Sequence, residues 1–317
     1  MSFRKALLLA AGRGSRLGAT TDQVPKPMLR VRGKPVLERH IEQLAAAGVG
    51  EIWINLYHQG QVIRDYFESG DHWGVQIRYS EEPALLGTAG ALKNLQREFA
   101  AGDFFVVYGD NLAACDYPAL AAAHRPGTLL TIALYHNDDV STSGIAELAS
   151  DGRLLRFLEK PAPGQEFSHW VNAGIYAASP ALLPLLPPGA SDFGRDVIPM
   201  LLAASKPVCG FVLQQAVEGI DTSDLLARAD VLGVAVIGAG RMGARRAQVA
   251  AAAAGCRLLW VIDQDAERAR QVAEPCSARS GAEAAAALED PRVDCVVVST
   301  SNDHLAPLAR AALEARK

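Results

Sequence analysis

Twice in this sequence a short apolar strand runs straight into a glycine-rich turn and then into a helical pattern. The first instance is residues 5–11, KALLLAA, followed by GRGSRL at 12–17. The second is residues 234–237, VAVI, followed by GAGRMG at 238–243. Such a strand, turn and helix is the opening unit of a domain built on a parallel sheet. A chain that starts this way twice predicts two domains, 1–230 and 231–317, and a length of 317 residues suits two. No Pro/Ser-rich linker separates them, so the join near 230–233 is expected to be tight.

Between these starts, apolar runs recur at 51–56, 76–79, 104–108, 129–134, 175–177 and 210–213, with helical patterns at 36–47 and 89–99. Strands alternating with helices imply a sheet that is largely parallel and covered on both faces. The second part repeats the plan. It predicts strands at 234–237, 257–262 and 294–299. Helices are expected at 241–254, 266–273, near 281–288 and at 303–315. The fold class is therefore α/β: a Rossmann-like three-layer domain with a mixed sheet, then a partial second Rossmann domain.

Half the residues are hydrophobic and 21% are charged, the balance of a globular protein rather than a disordered one. Net charge is −4, which argues against a nucleic-acid partner. No apolar run reaches the roughly 18–20 residues of a membrane span. The apolar stretch at 6–11 is too short for a signal peptide and is followed at once by Arg13 and Arg16. Five cysteines at 115, 209, 256, 276 and 295 form no CxxC pair, so reduced thiols and a cytoplasmic location are expected. His58, His72, His124, His136 and His169 show no metal-ligand spacing. A homo-oligomer is compatible with all of these features.

The first glycine turn has the chemistry of a phosphate site. Gly12 and Gly14 let the backbone approach a ligand and turn its N–H groups toward it, and the following helix offers its positive end. Arg13, Arg16 and Lys26 add cations that can meet triphosphate oxygens, and Pro25 and Pro27 stiffen the backbone around Lys26.

Residues 12–17 (GRGSRL), 25–29 (PKPML) and 33–35 (GKP) resemble the signature of the sugar-1-phosphate nucleotidyltransferases. The likeness continues through 82–92 (EPALLGTAGAL), 108–111 (YGDN), 159–161 (EKP), 172–176 (NAGIY) and 192–193 (DF). It covers most of residues 3–230. The resemblance implies that a nucleoside triphosphate and a sugar 1-phosphate give a nucleotide sugar and pyrophosphate, with Mg²⁺. The roles it implies follow the chemistry of two anions brought together in line. Arg16 stabilises the leaving pyrophosphate, Lys26 lies near the reacting centre, and Lys160 holds the sugar phosphate. Asp110 holds the metal with Asp221, although the segment GIDTSD at 219–224 is shorter than the family pattern, so Asp224 is either the second ligand or a helix cap. The nucleotide would meet Leu9, Ala11, Gly12, Gly14 and Ser15 on one side, and Glu82, Gly87 and Thr88 on the other. Gly109, Glu159, Asn172 and Gly174 would meet the sugar.

Glu82 bears on the choice of base. A carboxylate accepts from N1–H and N2–H of guanine and is repelled by a uracil or thymine carbonyl, which favours GTP. Uridylyl-, thymidylyl- and cytidylyltransferases acting on another phosphorylated small molecule are the nearest alternatives. A nucleotide sensor without turnover is another.

In the second part, Gly238, Gly240 and Gly243 follow a strand and open a helix, and Asp263 comes 20 residues after Gly243 (263 − 243). This is the spacing of a dinucleotide fingerprint whose carboxylate meets the adenine ribose. Asp263 favours NAD over NADP, and Arg268 nearby weakens that preference. The segment 294–304, DCVVVSTSNDH, resembles the glucose–fructose oxidoreductase and inositol dehydrogenase family. In that family a further strand with an EKP motif and a substrate domain come next. Roughly 85 residues of cofactor fold are too few for a complete dehydrogenase. The expectation is part of a longer bifunctional enzyme, or a vestigial fold.

Overall fold

The computed structural model describes every residue except 1–2, 13, 15–16, 18–20, 22–23, 215–216, 221, 291 and 316. Its contacts divide the chain into two units, Met1–Leu226 and Ala227–Lys317.

Strand β1, Lys5–Leu9, is buried on both faces. Ala6 and Leu8 join one core cluster, and Leu7 and Leu9 join the other. This is why it reads as a continuous apolar run and not as an alternating one. It pairs in parallel with β2 (Glu51–Leu56), which pairs in parallel with β3 (Gln76–Glu81). On its other side β1 pairs in parallel with β4 (Phe104–Tyr108). The sheet then turns antiparallel. It continues through β5 (Leu130–His136), β6 (Gly144–Leu148), β7 (Leu154–Glu159), β8 (Trp170–Ala178) and β9 (Val208–Val212). The main path runs β7-β6-β8-β4-β1-β2-β3, with β5 beside β8 and β9 parallel to β5. The hairpin β6–β7 was not among the expected strands. It reads GIAEL and LLRFLE, mixes polar residues into the run, and lies at the sheet edge.

Helices α1 (Val36–Ala46), α2 (Gly60–Phe67) and α4 (Tyr117–Ala123) contribute to the first cluster, which contains Leu37, Ile63 and Tyr117. Helices α3 (Gly87–Asn94) and α5 (Ile198–Ala203) contribute Leu92 and Leu201 to the second. Helix α3 starts two residues earlier and ends five earlier than the expected 89–99. Its start is tertiary: the N–H groups of Ala89 and Gly90 donate to the Ser191 carbonyl. Helix α6 spans Ser223–Ala229.

Strand β8 organises the functional edge. Residues Ile175–Ala178 pair with β4, and the pairing with β5 shifts register between Asn172 and Tyr176. The bulge gives Gly174 a φ of +69° and re-aims the residues around it. The carboxyl ends of β1, β2 and β4 and the start of β8 therefore share one edge, where open α/β sheets bind ligands.

Among the described residues the second unit has four parallel strands: β10 (Leu232–Ile237), β11 (Cys256–Ile262), β12 (Arg279–Gly281) and β13 (Cys295–Val298). Their order is β12-β11-β10-β13. This is the 3-2-1-4 half of the doubly wound dinucleotide order. Helices α7 (Arg241–Ala252), α8 (Ala266–Ala273), α9 (Ala285–Leu288) and α10 (Asn302–Glu314) follow the strands. The alanine-rich helix is shorter than 281–288, because residues 279–281 extend the sheet beside Trp260–Ile262.

Candidate functional site

Lys26 lies in a single helical turn behind Pro25, and only 5% of its surface is exposed. A buried ammonium needs a counter-charge. It donates to Asp110 Oδ2 at 2.9 Å, and among the described residues only that oxygen of Asp110 is engaged. Gly14 packs against the same lysine: a Cβ there would lie 3.0 Å from Lys26 Cβ. The glycine turn, the PKP segment and the GD turn are thus one cluster. Gly109 carries the GD turn under β1, its N–H donating to the Leu9 carbonyl at 2.9 Å, with no room for a side chain against Leu37 and that carbonyl. Arg16 and Ser15 lie outside the described residues, as does Asp221. The neighbouring pair Glu218–Gly219 forms a short antiparallel ladder with Asn111–Leu112. That ladder carries the chain just before Asp221 alongside the residue after Asp110. Asp224 is exposed in the first turn of α6, and Thr222 is the cap, accepting from the Leu225 N–H at 3.2 Å.

Behind the GD turn, His40 on α1 is buried, with Nε2 2.8 Å from the Asn111 carbonyl. Burial lowers this imidazole below its ordinary 6.5, against smaller opposing effects of the Asn111 carbonyl and Asp110. His124 is lowered by burial too. Below pH 6.5 the unfolded chain binds protons at these groups that the folded chain refuses. Their contribution to stability is therefore full above pH 6.5 and is lost on acidification. In a series of urea melts the midpoint is expected to fall below pH 6.5, and to fall less steeply in a His40→Gln/His124→Gln variant. A variant with the unchanged slope would refute this assignment.

Glu82 does not stand with an open edge toward a base. It is 6% exposed, and both oxygens are taken: Oε1 by Asn55 Nδ2 at 2.8 Å and Oε2 by the Leu86 N–H at 3.0 Å. Asn55 Oδ1 in turn accepts from the Ala10 N–H at 2.7 Å. Glu82 therefore braces the 82–90 loop to the end of β1, where Leu9 and Ala11 are also buried. Gly87 has a φ of +73° and touches the backbone of Ser191. Thr88 accepts from the Phe193 N–H at 2.9 Å and hydrogen-bonds Asp192 Oδ1 at 3.2 Å.

A chain of hydroxyls crosses beneath the site. Asn172 Nδ2 donates to Tyr176 (2.7 Å), whose hydroxyl donates to Tyr108 (3.2 Å), which donates to Thr88 (3.4 Å). Asn172 Oδ1 also accepts from the Gly174 N–H at 3.0 Å. A side chain at Gly174 would strike the Tyr108 ring. Burial pushes the Tyr108 hydroxyl up to about 12, so it stays protonated and donates. Sequence spacing carries no sign of this network, because directly bonded partners in it lie up to 68 positions apart. Glu159 is wedged between Gly144 and Gly194, and its carboxyl is raised by burial. Lys160 is exposed and takes a φ of +51° directly before Pro161, an unfavourable backbone state. Its N–H is fixed to the Ser143 carbonyl at 3.0 Å.

In the second unit Gly238 (φ +99°) lies on the Ser299 backbone, and Gly243 lies on the Gly238 carbonyl. Gly240, the residue preceding α7, has open space around it. Asp263 Oδ2 accepts from the Ala239 N–H at 2.6 Å and Oδ1 from Asp265 N–H at 3.0 Å, so the carboxylate shapes the glycine turn. Arg268 pairs with Asp265 and Asp263.

Residues 5–229 match the model of the nucleotidyl transferase family, and residues 232–317 match that of the oxidoreductase family, NAD-binding Rossmann fold. A UTP–glucose-1-phosphate uridylyltransferase of Synechocystis sp. is 35% identical over 218 residues, 64% of this chain and 56% of that protein. A mannose-1-phosphate guanyltransferase of Eremothecium gossypii is 33% identical over 207 residues, 62% and 56% of the two chains. The chain thus spans about half the length of the curated relatives it matches. Among solved structures, HddC from Yersinia pseudotuberculosis in complex with GMP-PN superposes with a TM-score of 0.62 at 26% identity, covering 72% of this chain and 98% of that one. No helix among the described residues is long and apolar enough to cross a membrane.

Proposed function

From residue 5 to residue 229 the chain belongs to the nucleotidyl transferase family, and from that premise we propose that it joins a nucleoside triphosphate to a sugar 1-phosphate. An oxygen of the sugar phosphate attacks the α-phosphorus in line, the bond to the leaving oxygen breaks, and pyrophosphate departs. The observation that carries the reading is the nearly buried Lys26 ammonium, paired to Asp110 beside the glycine turn. Lys26 and Arg16 neutralise charge on the triphosphate and the leaving group. Lys160 holds the sugar phosphate, with Glu159, Asn172, Gly174 and Gly109 around the sugar.

Asp110 suits a divalent cation: its carboxylate is partly exposed and has an oxygen without a described partner. Asp110 and Asp221 would hold Mg²⁺, which would supply charge neutralisation at the phosphates.

GTP is the donor proposed. The support is the guanyltransferase relatives and the GMP-PN complex of HddC. Glu82 serves this site as a brace for the loop. Pyrophosphate release with Mg²⁺ tests both levels, crossing GTP, UTP, dTTP, CTP and ATP with a panel of sugar 1-phosphates. GTP with one sugar is the expected signal. A signal with UTP alone would overturn the guanine assignment. Silence with every pair, with nucleotide still raising the melting temperature, would overturn the transferase reading.

The second unit is proposed to bind NAD at Gly238, Gly240 and Gly243. Its family match and the open space at Gly240 support this. The pairing of Arg268 with carboxylates favours NAD over NADP. Calorimetric titration should show NAD binding that Gly240→Ala abolishes with the fold intact.

A further inference from the structure

His136 ends β5, Asp138 follows in the next loop, and His169 precedes β8. The two histidines are 33 positions apart (169 − 136), so their spacing carries no ligand pattern. Antiparallel pairing of Trp170 with His136 brings them together. One ligand atom from each of the three residues lies within 4.8 Å of the other two, and all three are exposed. The two imidazoles stack with centroids 5.5 Å apart. We propose that His136, Asp138 and His169 form a binding site for a divalent cation of the zinc class, separate from Asp110.

The chemistry of the donors selects the metal. Two imidazoles and one carboxylate suit Zn²⁺, Ni²⁺ or Cu²⁺, whereas Mg²⁺ takes oxygen ligands and keeps its waters. Three protein ligands leave a fourth position for water. The surroundings are those of a supported site. His169 Nδ1 lies 3.2 Å from the Asn137 carbonyl, and donation there leaves the lone pair on Nε2. Asn137 N–H donates back to the His169 carbonyl at 3.0 Å. The loop is stiffened by Asp139, whose Oδ1 accepts from the Ser141 N–H and hydroxyl. A small apolar cluster of Val140, Ile145 and Val171, with Phe167 against it, fastens the loop to β8 from below. A bound cation would tie these two segments from above.

Calorimetric titration of the whole chain with Zn²⁺, in excess Mg²⁺, tests the site. The wild type is expected to show a zinc site that the His136→Gln/His169→Gln variant lacks. Asp138→Asn is expected to weaken it at least about tenfold. Zinc should also raise the melting temperature of the wild type and not of the double variant. Should the double variant fail to fold, Asp138→Asn decides alone, since it changes only an exposed carboxylate. No zinc binding by the wild type, or identical isotherms for wild type and variants, with the zinc on cysteines instead, would overturn the proposal.

Discussion

Lys26→Met is expected to lower turnover by about 10²–10³-fold while leaving the chain folded. Methionine keeps most of the lysine's length and volume and removes only the charge. The lysine is 5% exposed, so its ammonium carries a desolvation cost that the fold meets with Asp110. Removing it leaves the Asp110 carboxylate, whose side chain is 39% exposed and can be hydrated. Stability should therefore change little. The reverse substitution is not equivalent. Asp110→Asn takes one charged partner from the buried ammonium and should cost roughly 1–3 kcal/mol of stability in addition to turnover. Pyrophosphate release and urea unfolding on both variants measure the two effects separately. Near-normal turnover in Lys26→Met would remove Lys26 from the machinery. Equal stability losses in the two variants would contradict the burial argument.

The parts of this cluster that sequence could show are the ones set by local backbone needs. A glycine turn after a buried strand is readable because few other residues can make it. The GD turn is readable because it follows the apolar run 104–108. What escaped was set by distance. Glu82 has the charge to read a guanine, yet its oxygens are claimed by Asn55, 27 positions away, and by the Leu86 N–H. The Asn172–Tyr176–Tyr108–Thr88 chain and the His136–Asp138–His169 group likewise exist only through strand pairing. The hairpin β6–β7 escaped for a different reason. Edge strands bury fewer side chains, so the polar Glu147 and Arg156 break the apolar run.

The motif glycines divide by what a methyl group would meet, and this separates folding from ligand binding. At Gly87 a Cβ would sit 2.5 Å from the Ser191 carbonyl oxygen, and φ is +73°. Neither can relax cheaply, because that carbonyl also receives the Ala89 and Gly90 N–H groups at the start of α3. The left-handed backbone costs about 1–2 kcal/mol and the overpacking about 1–3 kcal/mol. Gly87→Ala should therefore destabilise the chain by roughly 2–5 kcal/mol, read as a lower urea midpoint. Gly12 is different. Among the described residues a Cβ there meets nothing within 4 Å, and its φ lies outside the left-handed region. Gly12→Ala should leave the midpoint within about 0.5 kcal/mol of wild type, as surface changes usually do. Its methyl would instead fill space against which a triphosphate is proposed to lie, so KM for the nucleotide should rise at least about tenfold, a loss of about 1.4 kcal/mol of binding. If Gly12→Ala unfolds the chain, the turn is structural. If it leaves both stability and KM unchanged, the nucleotide does not approach the backbone at Gly12, and the phosphate site must be sought elsewhere along the same edge.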